Sequence, residues 1–168
     1  RAEAGLTLFY TDLDRKYVEV REIEKMGRHA VDSNQVFFDA LPVPEEDRIG
    51  EEGKGFEYIL HGMNPERILI AAELVGLGRC ALARATAYAK ERTVFRAPIG
   101  SHQAIAHPLA QSHIEVELAR LMTQTAAALY DAGDDMAAGE AANMAKYAAA
   151  EAACDAADRA VQAHGGNG

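Results

Sequence analysis

Cysteine is scarce in this sequence, since Cys80 and Cys154 are the only two among 168 residues. Neither belongs to a C-x-x-C pair, and both fall in stretches of helical periodicity, so we expect no disulfide framework and no cysteine-based zinc site. We predict instead two thiols packed in the core of a protein from a reducing compartment. The six histidines are scattered without the spacing of zinc ligands, so no metal site is predicted.

Positive charge is also in short supply, because 17 lysines and arginines stand against 26 acidic residues, a net charge of −9. The phosphates of a nucleic acid would repel such a chain, and without a basic tract we expect no binding to a membrane surface. No apolar run approaches the ~20 residues that cross a bilayer. A Ser-His-Asp constellation, a Walker loop and a G-x-G-x-x-G following a strand are also missing. Composition therefore excludes more functions than it suggests.

The chain is organised around one long stretch, residues 64–103. Asn64 is a good N-cap, Pro65 suits the first helical position, and Glu66 follows in the first turn, where the helix dipole favours a carboxylate. Apolar residues then recur at helical spacing, at Ile68, Ala72, Val75 and Leu82. A proline and a glycine end the helix after Phe95, and Ser101 is placed to cap the next one. The helix from Glu66 to Phe95 spans about 45 Å, so chemistry at both of its ends would require a second copy of the chain.

The first 50 residues have β character. Strands are expected at 6–11, around 18–23 and at 35–39, with a turn at Gly27. Three or four strands are marginal alone, so we expect the last part of a larger β domain. The three glycines from Gly50 to Gly55 form a hinge.

After this hinge everything is predicted to be helical. We expect a short lead-in helix at 56–63, the long helix, a second helix at 103–132 and an alanine-rich third helix at 136–164. The apolar residues expected on one face of the second helix are Ile105, Leu109, Ile114, Leu118, Leu121 and Leu129. Long helices with short links pack as an antiparallel bundle. The expected fold is therefore an α+β fragment, with an antiparallel β tail at 1–50 and an up-down α-helical bundle at 51–168. Because a fourth helix normally closes such a bundle, we expect a fragment of a longer protein.

Three motifs carry a more specific signal. They are GEEGKGF at 50–56 followed by NPERI at 64–68, then YAKERTVFRAPI at 88–99 with QAI at 103–105 and LA at 109–110, and finally QAHGGNG at 162–168. In this order and approximate spacing they resemble the signatures of the acyl-CoA dehydrogenases, over essentially the whole chain. The resemblance implies an FAD-dependent enzyme that oxidises an acyl-CoA thioester to the trans-2-enoyl-CoA. A carboxylate takes a proton from Cα while a hydride leaves Cβ for the flavin.

By the same resemblance Glu66 is the catalytic base. Most members of the family place the base in a later segment, but the isovaleryl- and long-chain-type enzymes place it on the first bundle helix, directly before an arginine, as in Glu66–Arg67. Such a base must be close to its proton, aimed and poorly solvated. Arg67 then orients the thioester region, or is an ordinary surface or ion-pair arginine. Asn64 is an N-cap, a contact near the thioester end of CoA, or both. The alternative for Glu66 is a carboxylate that only complements the helix dipole.

At the other end of the long helix the resemblance implies a cofactor site. Arg92 would reach the FAD pyrophosphate of a neighbouring subunit, because a guanidinium matches phosphate oxygens, with Thr93 and Val94 alongside. Phe95 would pack against the adenine side or fill the corner. The remaining implied contacts are His102, Gln103, Gln162, Gly165 and Gly166. The glycine pair would let the backbone approach the nucleotide, or would end the third helix.

Arg96 departs from the family pattern, which usually has glycine after the phenylalanine. If this position needs a positive φ, arginine costs about 1 kcal/mol or more. If the corner is merely tight, Arg96 adds charge toward the pyrophosphate.

The resemblance also implies partners. They are an acyl-CoA substrate, an electron-transfer flavoprotein as acceptor, and three further copies of the chain in a homotetramer that is a dimer of dimers. The expected location is the cytoplasm, or the mitochondrial matrix of a eukaryote. The alternatives are an acyl-CoA oxidase or flavin monooxygenase of the same fold, or a non-catalytic helical assembly module. The chain by itself is expected to be inactive.

Overall fold

The structure is a computed structural model that describes residues 5–168. The chain separates into two compact units, Arg1–Leu60 and His61–Gly168. Within residues 5–168, six short strands and three long helices follow one another. They are β1 (Leu8–Phe9), β2 (Val18–Glu22), β3 (Asn34–Phe38), β4 (Arg48–Ile49), α1 (Gly55–Glu91), β5 (Thr93–Val94), β6 (Ala97–Pro98), α2 (Gln103–Asp131) and α3 (Asp135–His164).

The first unit contains two antiparallel strand pairs. β1 pairs with β4, and β2 pairs with β3 over five residues, from Val18 opposite Phe38 to Glu22 opposite Asn34. The strands predicted around 18–23 and at 35–39 are therefore confirmed. The strand predicted at 6–11 is shorter, because only Leu8 and Phe9 find ladder partners.

The helices predicted at 103–132 and 136–164 are confirmed with nearly the same bounds as α2 and α3. A tight turn at Gly133 joins them. The predicted fold, an antiparallel β tail followed by a helical bundle, is therefore confirmed.

The prediction for the start of α1 is wrong. Asn64 is not an N-cap, the lead-in helix is not separate, and Pro65 lies inside a continuous helix of 37 residues. A proline removes only one backbone hydrogen bond, here the one that would reach the carbonyl of His61, and the neighbouring bonds keep the helix intact. Glu66 is consequently not a first-turn residue, so the dipole interpretation of this glutamate is also wrong.

The prediction for the end of α1 needs correction as well. The helix ends at Glu91, four residues before Phe95, because the chain turns into the β5–β6 hairpin. Ser101 does not cap α2, since its Oγ donates to the carbonyl of Pro98 at 2.7 Å and His102 occupies the N-cap position.

On α1 and α2 the bundle core follows heptad spacing, with buried residues alternately three and four positions apart. On α1 these are Ile68, Ala71, Val75, Gly78, Leu82, Ala85 and Ala89. On α2 they are Ser112, Val116, Ala119, Thr123 and Ala126. On α3 every buried residue is an alanine. These small side chains let the neighbouring helices approach closely.

α1 and α3 run parallel, and the residues that face each other keep a nearly constant offset in sequence. Asn64 lies against Gly139, Gly78 lies near Ala153, and the ring of Tyr88 stacks on that of His164, each pair about 75 positions apart in sequence. At Gly78 an added Cβ would stand 2.9 Å from Cγ2 of Val116, so this crossing needs glycine.

Several residues of the apolar helical patterns lie on the surface. Ile114, Leu118 and Leu121 are exposed on α2, because the smaller residues of the heptad stripe occupy the core in their place. Ala72 is exposed and Ala71 is buried instead. Cys80 and Cys154 are exposed free thiols, so the prediction of core thiols is wrong. Within residues 5–168, no helix carries an apolar stretch of the kind that crosses a membrane.

Candidate functional site

The β5–β6 hairpin fixes the residues that follow α1. The backbone N–H of Arg92 donates to the carbonyl of Tyr88 at 2.8 Å, and the carbonyl of Arg92 accepts from the N–H of Ile99 at the same distance. Arg92 is therefore held at the base of the hairpin. The tip consists of Phe95 and Arg96, with φ values of 53° and 67°. Two positive φ angles are typical of the tight two-residue turn that matches the twist of a hairpin.

The C-terminal end of α3 meets this hairpin base. Gly165, with a φ of 60°, ends the helix, as the capping interpretation predicts. The ring of His164 stacks on Tyr88 at 4.5 Å between centroids, and Nδ2 of Asn167 donates to the Tyr88 hydroxyl at 3.2 Å. The cavity between these elements has a volume of about 370 Å³. Its lining residues are Tyr88, Arg92, Val94, Ile99, Ala163, His164, Gly165, Gly166 and Asn167.

Four of the predicted cofactor residues thus line one cavity, namely Arg92, Val94, Gly165 and Gly166. The others do not line it. Thr93, Phe95, His102, Gln103 and Gln162 are all exposed at the surface. Phe95 is 91% exposed, so it does not fill the corner in this chain.

Glu66 lies far from this cavity, in the interior of α1 and with an exposed side chain. At 1.5 Å per residue, Glu66 and Arg92 are separated by roughly 40 Å along the helix axis. Beside Glu66, the guanidinium of Arg67 donates to Oδ1 of Asn64 at 3.3 Å. Asn64 also lies against Gly139, where an added Cβ would stand 3.1 Å from its Nδ2. This region thus has a fixed polar pair beside an accessible carboxylate.

The family described as "Acyl-CoA dehydrogenase, C-terminal domain" matches residues 53–168. This chain belongs to the acyl-CoA dehydrogenase family. The acyl-CoA dehydrogenase fadE12 of Mycobacterium bovis is 60% identical over 134 residues, which are 80% of this chain and 34% of that protein.

Solved structures of acyl-CoA dehydrogenases share the fold. Butyryl-CoA dehydrogenase from Megasphaera elsdenii has a TM-score of 0.87 at 32% identity, covering 98% of this chain and 43% of that one. Glutaryl-CoA dehydrogenase in its complex with glutaryl-CoA has a TM-score of 0.83 at 35% identity, covering 97% of this chain and 41% of that one. The chain spans about a third of the length of the mycobacterial relative.

The charge pattern of the chain gives a signal for this corner that the motif analysis missed. Between Arg84 and Ile114, a segment that includes the hairpin, the only acidic residue is Glu91. The same segment contains four cationic side chains, Arg84, Lys90, Arg92 and Arg96, in a chain whose net charge is −9. A local excess of positive charge in an acidic protein favours an anionic ligand at that place.

Sequence reasoning also missed the side chains that hold the corner together. Tyr88 and His164 stand inside the recognised motifs, but their stacking joins α1 to α3 only in the folded chain. Arg159 adds a second connection. Its guanidinium donates to the buried Oγ of Ser112 at 2.8 Å and to the Pro108 carbonyl at 3.3 Å, and pairs with Glu115 at 3.2 Å. It therefore fixes the N-terminal part of α2 against the last turns of α3.

Shifted pKa values belong to surface ion pairs whose residues do not line the cavity. A hydrogen bond from Arg120 lowers the pKa of Glu117, and one from Arg21 lowers the pKa of Glu19. Among the described residues, no group of three or more histidine, cysteine or acidic side chains is arranged to hold a metal ion.

Proposed function

We propose that this protein is an FAD-dependent acyl-CoA dehydrogenase, which converts an acyl-CoA thioester to the trans-2-enoyl-CoA. The observation that carries this proposal is the cavity in which Arg92 and the Gly165–Gly166 pair come together, in a chain that belongs to the family. Residues 1–50 are then the last part of the family's middle β domain, and residues 51–168 belong to its C-terminal helical domain.

The cavity fits the pyrophosphate of FAD on three grounds. Arg92 supplies a guanidinium, whose fork matches phosphate oxygens. Gly165 and Gly166 have no Cβ to keep an anion from their backbone. The surrounding segment is cationic, as the count of charges from Arg84 to Ile114 shows. When bound, FAD supplies the acceptor for the hydride that leaves Cβ of the substrate.

The exposed predicted residues complete this site in an assembly. Thr93, Phe95, His102, Gln103 and Gln162 all lie on the surface of the chain. Surface side chains can contact a dinucleotide that another subunit carries, and we therefore assign them to the cofactor of a neighbouring copy. An exposed phenylalanine at a hairpin tip suits stacking on a planar ring system.

Glu66 is the proposed base that takes the α-proton. Its side chain is exposed in this chain, whereas a carboxylate that removes a weakly acidic proton works best when poorly solvated. Bound acyl-CoA and the rest of the active site must therefore cover it. Arg67, which is held by Asn64, is placed on the same segment to orient the thioester.

The separation of roughly 40 Å along α1 implies that Glu66 and Arg92 serve different active sites. One copy then supplies the base of its own site and the anion-binding corner of its neighbour's. This arrangement requires at least two copies of the chain. The family resemblance is what supports a homotetramer built as a dimer of dimers and an electron-transfer flavoprotein as acceptor. The arrangement also leaves each site incomplete in a single copy of this chain, which we expect to be inactive alone.

Glu66→Gln tests the proposed base, because glutamine keeps the size of the side chain and removes its basicity. Under anaerobic conditions, a panel of acyl-CoAs should bleach the flavin of the unaltered full-length holoprotein. The variant should bind the same acyl-CoAs and lose at least ~10³-fold in bleaching rate, within the range that general-base catalysis contributes. The panel also ranks the acyl groups.

Glu151→Gln is the matched control, since Glu151 is an exposed glutamate on α3. It should bleach at the unaltered rate. Equal bleaching by Glu66→Gln and the control would remove Glu66 from the mechanism. Rapid reoxidation of the reduced flavin by oxygen would instead indicate an acyl-CoA oxidase or a monooxygenase.

A further inference from the structure

Tyr88 contacts both flanks of the glycine pair. On one side its ring stacks on His164, at 4.5 Å between centroids and with 25° between the planes. On the other side its hydroxyl accepts a hydrogen bond from Nδ2 of Asn167 at 3.2 Å. The side chain of Tyr88 thus contacts the residue before and the residue after the two glycines.

His164 is itself held in a fixed orientation. Its Nδ1 lies 2.7 Å from the carbonyl of Ala160, and because a carbonyl only accepts, Nδ1 carries the proton and donates. This hydrogen bond fixes the ring against the last turn of α3, so Tyr88 stacks on a ring of fixed orientation.

Tyr88 is also tied to the arginine of the same cavity. Tyr88 and Arg92 are four residues apart, one helical turn, and the N–H of Arg92 donates to the Tyr88 carbonyl at 2.8 Å. The side chain of Tyr88 therefore determines how far the glycine pair on α3 lies from the arginine at the end of α1.

We propose that Tyr88 is a positioning residue for the dinucleotide, which holds the Gly165–Gly166 turn at a fixed separation from Arg92. This inference rests on the proposed function of the corner as the FAD pyrophosphate site. A glycine pair loses more conformational freedom on ordering than any other pair of residues. If Tyr88 orders the turn before the ligand arrives, the ligand does not have to, and its affinity rises.

Tyr88→Phe tests the proposal in the holoprotein, because it keeps the ring that stacks on His164 and removes only the hydroxyl. We expect about 5- to 10-fold weaker FAD binding, the equivalent of one lost hydrogen bond, measured by flavin fluorescence on dilution. The melting temperature of the apoprotein should stay the same. Tyr147→Phe, an exposed tyrosine on α3, is the matched control and should change neither quantity.

A double-mutant cycle distinguishes positioning from a general structural effect. Asn167→Ala should weaken FAD binding about as much as Tyr88→Phe, and the double variant should be no weaker than either, because both remove the same bond. His164→Phe, which keeps a stacking ring, should bind FAD more tightly than His164→Ala.

The outcomes separate this inference from the function on which it rests. Unchanged FAD affinity in Tyr88→Phe and Asn167→Ala, with a clear loss in Arg92→Gln, would overturn the positioning role and leave the site in place. Full affinity in Arg92→Gln, which removes the positive charge, would mean that the corner does not bind the pyrophosphate, and both proposals would fail.

Discussion

The two compact units of the chain use their apolar residues in opposite ways. Among the described residues of Arg1–Leu60, the one buried apolar side chain is Val18, which is 3% exposed, while Phe9, Tyr10, Phe37 and Phe38 are all at the surface. In His61–Gly168, three helices contribute buried stripes that meet in two hydrophobic clusters. The helical unit therefore carries its own source of hydrophobic stability, and the β unit does not.

This difference explains how the chain positions its candidate residues. Two-stranded pairs with one buried side chain cannot hold a site to a fraction of an ångström, because isolated hairpins are marginally stable in water. The cavity of Arg92 and the glycine pair is built where the ends of helices are fixed by stacking and hydrogen bonds. We therefore expect the β unit to depend on contacts from outside it for its stability.

Cutting the chain before Gly53 should have the largest effect of any change considered. Residues 53–168 keep all of α1 and the bundle core, so we expect a helical circular-dichroism spectrum and a cooperative urea transition. Residues 1–52 should give the spectrum of an unfolded chain. A dispersed NMR spectrum from the shorter piece would show that its strand pairs fold alone, and would remove the contrast between the units.

Gly78 offers a finer test of the close packing in the helical unit. In Gly78→Ala the new Cβ would lie 2.9 Å from Cγ2 of Val116, a stiff and fully buried side chain, whereas at Gly76 nothing lies within 4 Å. Alanine is favoured over glycine by about 0.5–1 kcal/mol at both helix positions. Overpacking costs about 1–3 kcal/mol, and only at Gly78. Urea unfolding should therefore show destabilisation for Gly78→Ala and stabilisation for Gly76→Ala.

Adding Val116→Ala to Gly78→Ala provides the check on this explanation. The second substitution removes the methyl group that the new Cβ would meet, so the double variant should be more stable than the sum of the two single effects. If the changes in the free energy of unfolding were strictly additive, the contact between Gly78 and Val116 would not limit how closely α1 approaches α2.

The sequence predicts the fold of the helical unit well, and the reason is its strong helical periodicity. α2 and α3 have nearly the expected bounds because a turn glycine and the end of the alanine-rich pattern mark them. The start of α1 could not be predicted, since an Asn-Pro pair has the same local signal at a helix start and inside a helix. The exposure of Leu118 and Leu121 on α2 could not be predicted from hydrophobicity, which favours the burial of large residues, whereas a close-packed alanine helix selects small ones.

Some residues of the candidate site could likewise be predicted from the sequence, and others could not. Arg92, Val94 and the glycine pair could be brought together from motifs. The roles of Tyr88 and Asn167 could not, because their hydrogen bond joins positions 79 residues apart and depends on α1 and α3 running parallel. Glu66 and its neighbours remain predictions from the family resemblance.

Arg96→Gly should have the smallest effect and addresses whether the two units unfold together. Arg96 has a φ of 67°, so the positive-φ requirement considered from the sequence is met. Glycine should relieve about 1 kcal/mol or more of backbone strain, partly offset by its larger loss of conformational entropy on folding. Ala40, with a φ of 51° in the β unit, gives the matched variant Ala40→Gly. If only the bundle unfolds cooperatively, its urea midpoint should rise in Arg96→Gly and stay fixed in Ala40→Gly. An equal rise of the urea midpoint in both variants would show that backbone strain in the β unit lowers the stability of the bundle. A fall in Arg96→Gly would mean that contacts of its guanidinium outweigh the strain, and the arginine would then be retained for stability as well as for charge.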